Sequence, residues 1–151
     1  MEAKMGKMRF EAVSALGADY LPDLNALWKV VSPKSDPITE RDLDFMFQVS
    51  SPSQLFVCID EASGRLVGQV WVTISKTSSP KKAEFDEVAT LKEFERHGIG
   101  TRLMDMAENY AREKGAKKFR LTSAPYRKEA IKFYLNRGYE IINTNVMGKK
   151  L

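Results

Sequence analysis

The stretch "ERHGIGTRLM", residues 95–104, places two glycines where a helical pattern begins. Glycine is a poor helix former, so Gly98 and Gly100 need a physical reason to stand there. The preceding stretch "AEFDEVATL", residues 83–91, is typical of a strand. Beyond Gly100 the apolar residues recur at the three- and four-residue spacing of a helix that faces a core. They are Leu103, Met106, Ala107, Tyr110 and Ala111.

A helix that begins at these glycines predicts a site for an anion. The first turn of a helix has N–H groups without partners, and the aligned peptide dipoles place partial positive charge there. A phosphate satisfies both. Gly98 and Gly100 remove side chains that would meet a ligand's phosphates, and they permit a positive φ. The stretch thus predicts a diphosphate cradle, although a tight turn without a ligand remains an alternative.

Two known nucleotide motifs fit this stretch poorly. A P-loop needs a lysine directly before Thr101, where Gly100 stands, and the spacing of the glycines also differs from that motif. A dinucleotide fingerprint needs a third glycine where Leu103 stands. The loop therefore favours a diphosphate carrier of another kind.

The pattern outside this stretch predicts one mixed α/β domain over residues 1–151, with central antiparallel hairpins and one β-α-β crossover. The element order is β-α-α-β-β-β-α-β-α-β. Thr39 is the predicted N-cap of the second helix, and Gly115 ends the third. The other predicted boundaries are strands at 8–16, 54–60, 65–75, 83–91 and 117–123, helices at 18–32, 39–51 and 126–138, and one or two closing strands within 139–150.

Composition limits the function classes. The 151 residues carry a net charge of +4, and the basic residues are interspersed with acids. This favours an anionic partner but argues against a nucleic-acid-binding tail. The single cysteine, Cys58, lies in the apolar run "LFVCID" and is expected to be a buried small side chain rather than a nucleophile. No metal-ligand spacing, signal segment or membrane-length apolar run is visible, so a cytoplasmic protein without a metal or a membrane partner is expected.

Two blocks of the sequence resemble the GNAT superfamily of N-acetyltransferases over residues 83–140. The family signature is R/Q-x-x-G-x-G/A between a strand and a helix, followed by a strand and then A-x-x-F/L-Y-x-x-x-G-F/Y. Glu95 stands where the family usually has arginine or glutamine, and Arg96 supplies a positive charge one place later. The positions that match are Gly98, Gly100, Ala130, Phe133, Tyr134, Gly138 and Tyr139.

The resemblance implies a GNAT-like fold, a mostly antiparallel sheet that splays between the strands at 83–91 and 117–123, and acetyl-CoA as cosubstrate. Unpaired backbone groups at the splay would then meet the amide-rich pantetheine arm. Arg127 stands where the family often has asparagine and is expected to reach a cofactor phosphate. The implied cofactor-binding residues are Val88, Ala89 and Thr90 for pantetheine, and Arg96, His97, Gly98, Ile99, Gly100 and Thr101 for the diphosphate.

The implied reaction is direct acetyl transfer to an amine. An alkyl ammonium with a pKa of about 10.4 is neutral in only roughly one molecule in 2,500 at pH 7, so a base must remove a proton. Glu84 and Asp86 lie on one face of the strand and are the base candidates, with Glu84 first. Strand alternation places Glu87 on the opposite face and ranks it third. Tyr134 matches the family tyrosine that protonates the leaving thiolate. Solvated acids and a core aromatic are the structural alternatives.

The acceptor is less determined by sequence. A small-molecule amine is favoured over a protein, and a homodimer is a weak expectation from the family. A non-catalytic acetyl-CoA-binding sensor or scaffold of the same fold is the alternative function, and a basic nucleic-acid-binding domain is disfavoured. Asp42 and Asp44 are expected to be a solvated helix start. The aromatic candidates for the walls of an acceptor site are Trp28, Phe45, Phe47, Trp71 and Tyr126.

Overall fold

The alternating apolar stretches form one sheet, and the periodic stretches form helices around it. The structure, a computed structural model, describes residues 6–49 and 53–151, with the backbone alone at Val49. The strands in these ranges are β1 (Met8–Val13), β2 (Ser53–Asp60), β3 (Arg65–Ser75), β4 (Lys82–Thr90) and β5 (Lys118–Leu121). The α-helices there are α1 (Leu21–Val31), α2 (Glu40–Val49), α3 (Ile99–Glu113) and α4 (Lys128–Asn136).

The sheet follows the order of the chain, β1-β2-β3-β4-β5. The first three pairings are antiparallel and the β4–β5 pairing is parallel, with α3 as the crossover between them. Gly64 closes the β2–β3 hairpin at φ +70°, a conformation that glycine adopts without strain. The predicted mixed α+β class with a mostly antiparallel sheet is confirmed.

Contacts divide the chain into two compact units, Met1–Leu121 and Thr122–Leu151. The first unit holds the whole sheet together with α1, α2 and α3. The second holds α4 and the segment that follows it. The single domain over residues 1–151 stays a prediction.

The closing strand predicted within 139–150 is absent, and the element order ends at α4. Residues 139–151 carry no helix or strand, and Ile141 and Met147 are 81% and 89% exposed. The pattern "YEIINTNVM" has strand-forming residues, but a strand exists only where a neighbour supplies ladder hydrogen bonds. In the structure this segment has no such neighbour, so its local preference is not expressed.

Helix α3 lies close to the sheet at Gly68 of β3. A Cβ built there would lie 2.9 Å from Ile99 Cγ2 and 2.9 Å from Leu103 Cδ1, both in buried side chains. These distances are shorter than an ordinary van der Waals contact, so a side chain at position 68 would push the helix away. Gly68 therefore sets the beginning of α3 close to the sheet, beside Ala89 of β4.

Cys58 lies in the centre of β2 and is fully buried. Burial raises the pKa of its thiol to about 11, and the positive charge of Arg102 only partly opposes this rise. The thiolate is the reactive form, so the native protein is expected to react with a thiol reagent at pH 8 only as fast as it unfolds. Titration with Ellman's reagent, with and without denaturant, checks this prediction. Rapid labelling of the folded protein would contradict it.

Candidate functional site

Strand β4 loses its β5 neighbour halfway along its length. The parallel pairing extends from Lys82, opposite Lys118, to Phe85, opposite Leu121. Beyond Phe85, β4 continues to Thr90 with β3 on one side and no strand paired on the other in the described sheet. The predicted splay therefore begins at Asp86, and the β4 backbone that follows has an edge able to pair with amide groups of a ligand.

Strand β4 also contains a bulge directly after Asp86. Trp71 pairs with Asp86 while Gln69 pairs with Ala89, so Val70 alone lies across from Glu87 and Val88. Glu87 has φ +53°, an uncommon conformation for a residue with a side chain. A bulge re-aims side chains and leaves one residue of the ladder unpaired. The bulge interrupts the regular alternation of β4, and the placement of Glu87 on the opposite face, with its third rank, stays a prediction.

The carboxylates of β4 differ in their surroundings. Glu84 and Asp86 lie on one face, as predicted, opposite Thr73 and Trp71. Glu84 forms an ion pair with Lys82 at 3.2 Å. Asp86 is more exposed, yet partial burial raises the pKa of its carboxyl, and the nearby charge of Glu84 raises it further. Burial, and then the charge of Asp86, raise the pKa of Glu87.

The glycine loop ends in the helix N-terminus that the sequence predicts. Gly98 is the N-cap of α3 at φ +77°, and the first helical bond runs from the Arg102 N–H to the Gly98 carbonyl at 3.0 Å. Arg96 is also left-handed at φ +63°. Gly100 lies inside the first turn and is not among the glycines at positive φ. The positive φ that glycine permits is therefore used at Gly98 and not at Gly100.

This N-terminus fits the diphosphate of acetyl-CoA. No side chain caps it, and its first turn contains no acidic residue to compete with a phosphate. A Cβ added at Gly98 would meet nothing within 4 Å, so the space above the turn is open. Arg96 and His97 are exposed in the same loop. The N–H groups of this turn and the open edge of β4 from Val88 to Thr90 lie in one unit, as the predicted cofactor set requires.

The other predicted residues lie in the second unit. Tyr134 is 7% exposed and packs between the rings of Phe133 and Tyr139, at centroid distances of 5.3 and 5.9 Å. Burial raises the pKa of its phenol, and the charge of Arg127 opposes this rise. Arg127 is the N-cap residue of α4, and its carbonyl accepts the Ile131 N–H at 3.0 Å. The charge of Arg127 therefore acts on the Tyr134 phenol.

Helix α2 contains a predicted cap and two aromatic residues predicted as candidates for an acceptor wall. The Thr39 N–H and hydroxyl both donate to Asp42 Oδ2, at 2.8 and 2.7 Å, and this reciprocal cap lowers the pKa of Asp42. The predicted cap is confirmed, and it accounts for Asp42 without a ligand.

The ring of Phe47 packs on Trp71 of β3 at 5.5 Å and 46°. Phe45 is 63% exposed and contributes no wall in the described chain.

Gln69 is not among the site residues that the sequence predicts. It lies on β3, is 2% exposed, and its Oε1 accepts no hydrogen bond from the residues that the structure describes. The available signal was a polar side chain inside the apolar run "RLVGQVWVTIS". A buried polar atom normally has a partner, so this oxygen marks a place where a donor from elsewhere is needed.

In the part of the chain that the structure describes, no helix is both long and apolar enough to span a bilayer. Nor do residues 6–49 and 53–151 bring together three or more His, Cys, Asp or Glu side chains in an arrangement suited to a metal ion.

Comparison with known proteins assigns this geometry to a family. The model of the acetyltransferase (GNAT) family matches residues 21–139. The uncharacterized N-acetyltransferase YjgM of Escherichia coli (strain K12) is 26% identical over 126 residues, 83% of this chain and 75% of the relative.

Two solved structures share the fold. The acetyltransferase of Trypanosoma brucei has a TM-score of 0.78 at 16% identity, over 95% of this chain and 100% of that one. The glucosamine-6-phosphate N-acetyltransferase of Arabidopsis thaliana has a TM-score of 0.67 at 17% identity, over 95% and 98%. The chain thus shares its fold with solved acetyltransferases, and it belongs to the GNAT family as an acyl-CoA-dependent N-acetyltransferase.

Proposed function

We propose that the protein transfers the acetyl group of acetyl-CoA directly to the amine of a small molecule, with both substrates bound at once. The observation that carries this proposal is the meeting, in one unit, of an uncapped helix N-terminus at Gly98 with a β4 edge that is open and bulged from Asp86 onward. A direct transfer needs no covalent enzyme intermediate, and the one cysteine is buried with a raised pKa.

Backbone groups hold acetyl-CoA in this proposal. The N–H groups of the first turn of α3, with those of the loop from Arg96, bind the diphosphate by hydrogen bonds and by the helix dipole. The edge of β4 from Val88 to Thr90 pairs with the pantetheine amides as an added strand would. Arg127 adds a positive charge for a phosphate of the cofactor. The thioester supplies the acetyl group.

Asp86 accepts the proton of the amine. It shares a face with Trp71, stands at the residue where the β4–β5 ladder has ended, and has no ion pair in the described chain. Burial, and then the charge of Glu84, raise its pKa, which strengthens it as a base. Glu84, the first candidate from sequence, already neutralises Lys82, and its charge supports the raised pKa of Asp86.

The ammonium first loses one proton to the Asp86 carboxylate, which passes it to water. The neutral amine nitrogen then forms a bond to the acetyl carbon as the carbon–sulfur bond breaks, and the thiolate leaves with the electron pair. The nitrogen loses its second proton to water as the amide forms. Tyr134 donates its phenolic proton to the thiolate, and solvent reprotonates it. Burial keeps the Tyr134 phenol protonated at neutral pH, as an acid requires.

Tyr134→Phe tests the transfer chemistry apart from binding. The change keeps the ring that packs on Phe133 and Tyr139 and removes only the hydroxyl. We expect kcat for amine acetylation to fall about 10²-fold, as for loss of a general acid. Release of free CoA with a panel of amines measures it.

A thermal-shift titration provides the matching binding measurement. Acetyl-CoA should raise the Tm of wild type and of Tyr134→Phe equally, whereas ATP and NAD should give no comparable shift. Binding of acetyl-CoA with no CoA release for any amine would instead support a sensor or scaffold. Stabilisation by ATP or NAD alone would refute the acetyl-CoA site.

A further inference from the structure

None of the described residues donates a hydrogen bond to the buried amide oxygen of Gln69. Gln54, on the adjacent strand β2, shows the contrast, because its Nε2 donates to the carbonyls of Val13 and Leu55 at 3.0 and 3.1 Å. Gln69 is 2% exposed, and its Oε1 receives no donor in the described ranges. An acceptor removed from water is stabilised only when a donor reaches it, so Gln69 is suited to an N–H or O–H of a ligand.

The side chain of Gln69 lies on the face of the sheet that carries the acidic residues of β4. A Cβ at Gly68 would point at Ile99 and Leu103, so the side chain of the next residue, Gln69, lies on the face away from α3. Trp71 shares that face, and it pairs directly with Asp86. Gln69 and Trp71 therefore lie opposite the two ends of the bulge. Both are on the face that carries Asp86, the first residue of the open part of β4.

This face offers an apolar wall, and strand β4 carries an excess of negative charge. The ring of Phe47, from α2, lies 5.5 Å from that of Trp71 and forms an aromatic pair on this face. Three carboxylates occur within four residues of β4, namely Glu84, Asp86 and Glu87, and Lys82 neutralises the first of them. Burial raises the pKa of Asp86 and of Glu87, and the charge of Glu84 raises that of Asp86 further, as the charge of Asp86 does that of Glu87. These charges would repel a carboxylate on the ligand.

We infer that the acceptor is a primary amine on an apolar body the size of an aromatic ring, with no carboxylate beside the amine, and that Gln69 is the residue that orients it. This rests on the proposed acetyl transfer. The aromatic pair packs against the apolar body, and the carboxylates of β4 attract the ammonium form. Once Asp86 has taken one proton, the Gln69 Oε1 accepts a hydrogen bond from a remaining N–H and directs the nitrogen lone pair.

Matched amines test the substrate class by the rate of CoA release. 2-Phenylethylamine and phenylalanine differ only by the carboxylate, and so do tryptamine and tryptophan. We expect kcat/KM for each amine to exceed that for its amino acid at least about tenfold. Spermidine, a polycation without an apolar ring, should be poorer than 2-phenylethylamine. Equal rates for the amino acids, or a clear preference for spermidine, would overturn the inference.

Gln69→Leu tests the orienting role and has a matched control. Loss of the Oε1 should raise KM for the amine about tenfold, while KM for acetyl-CoA stays unchanged. The Tm should not fall, because a buried oxygen without a partner is replaced by an apolar side chain of similar size. Gln54→Leu should show the opposite behaviour, a lower Tm with an unchanged KM for the amine, because both Gln54 hydrogen bonds are internal.

A purely structural Gln69 would give a different result. Gln69→Leu would then lower the Tm and alter KM for both substrates together, which would overturn the inference. Phe47→Leu provides a second variant for the apolar wall, and it should narrow the preference for 2-phenylethylamine over spermidine. Absence of CoA release with every amine would reject the proposed transfer itself. Release with a different amine preference would reject only the acceptor class.

Discussion

Replacement of Asp86 by asparagine is expected to lower kcat/KM for amine acetylation about 10²- to 10⁴-fold in a protein that remains folded. Asparagine has nearly the same shape and cannot accept the proton of the ammonium. Asp86 has an exposed surface and no hydrogen bond or ion pair in the described chain that the change would break. Steady-state CoA release with 2-phenylethylamine measures the loss, and acetyl-CoA should still raise the Tm.

The pH dependence identifies the group. A carboxylate base works only when deprotonated, so kcat/KM of wild type should fall as the pH drops through the pKa of Asp86. That pKa lies above the ordinary value of 3.8 because of burial and of Glu84, so the acidic limb begins at a higher pH than an unperturbed aspartate would give. Asp86→Asn should remove the limb. Glu84→Gln should instead move it to lower pH, because the charge that raises the pKa is gone.

The raised pKa of Asp86 affects the stability of the fold with the opposite sign from the lowered pKa of a typical ion-paired carboxylate. A folded-state pKa above the unfolded value means that the folded protein binds the proton more tightly, so this group disfavours folding increasingly as the pH rises through its pKa. Asp86→Asn removes that penalty, and the Tm at pH 7 should not decrease. If Glu87→Gln removes the acidic limb while Asp86→Asn keeps it, the base is Glu87 and the present assignment fails.

Introduction of an acid at Gly98 should have the second largest effect. In Gly98→Asp the new carboxylate would occupy the open space before α3 and satisfy the N–H groups that we propose to bind the diphosphate. Its negative charge would also repel the phosphates. We expect KM for acetyl-CoA to rise about 10- to 100-fold, equivalent to about 1.4 to 2.8 kcal/mol. Steady-state kinetics at saturating amine, together with the thermal shift by acetyl-CoA, measure the change.

Gly64 supplies the matched control for this change. It has φ +70° against +77° at Gly98, and a Cβ at either position would meet nothing within 4 Å. Both substitutions therefore carry a similar backbone strain, and aspartate tolerates the left-handed region better than most residues. Gly64→Asp, in the β2–β3 hairpin, should lower the Tm by a similar amount and leave KM for acetyl-CoA unchanged. An equal rise of KM in both variants would show that strain, rather than the helix N-terminus, explains the effect.

Local sequence determined the features that depend on neighbours in the chain. Alternation over "RLVGQVWVTIS" predicted β3 from Arg65 to Ser75 with its observed ends, and Thr39 was identified as a cap from its type and position. The glycine loop and the apolar spacing after it predicted the N-terminus of α3. Each of these follows from one backbone conformation repeated over a few residues, which side-chain type governs directly.

Only the tertiary structure decided the features that depend on residues distant in the chain. The bulge at Glu87 arises from the register that β3 imposes on β4, and alternation alone gave no sign of it. The isolation of the Gln69 oxygen depends on which donors lie within reach. The strand-forming tail after α4 has no strand because no neighbour supplies a ladder. Sequence thus specified the glycine loop and the N-terminus of α3 through local backbone geometry, whereas the proposed acceptor side of the site required pairing between strands that no local pattern encodes.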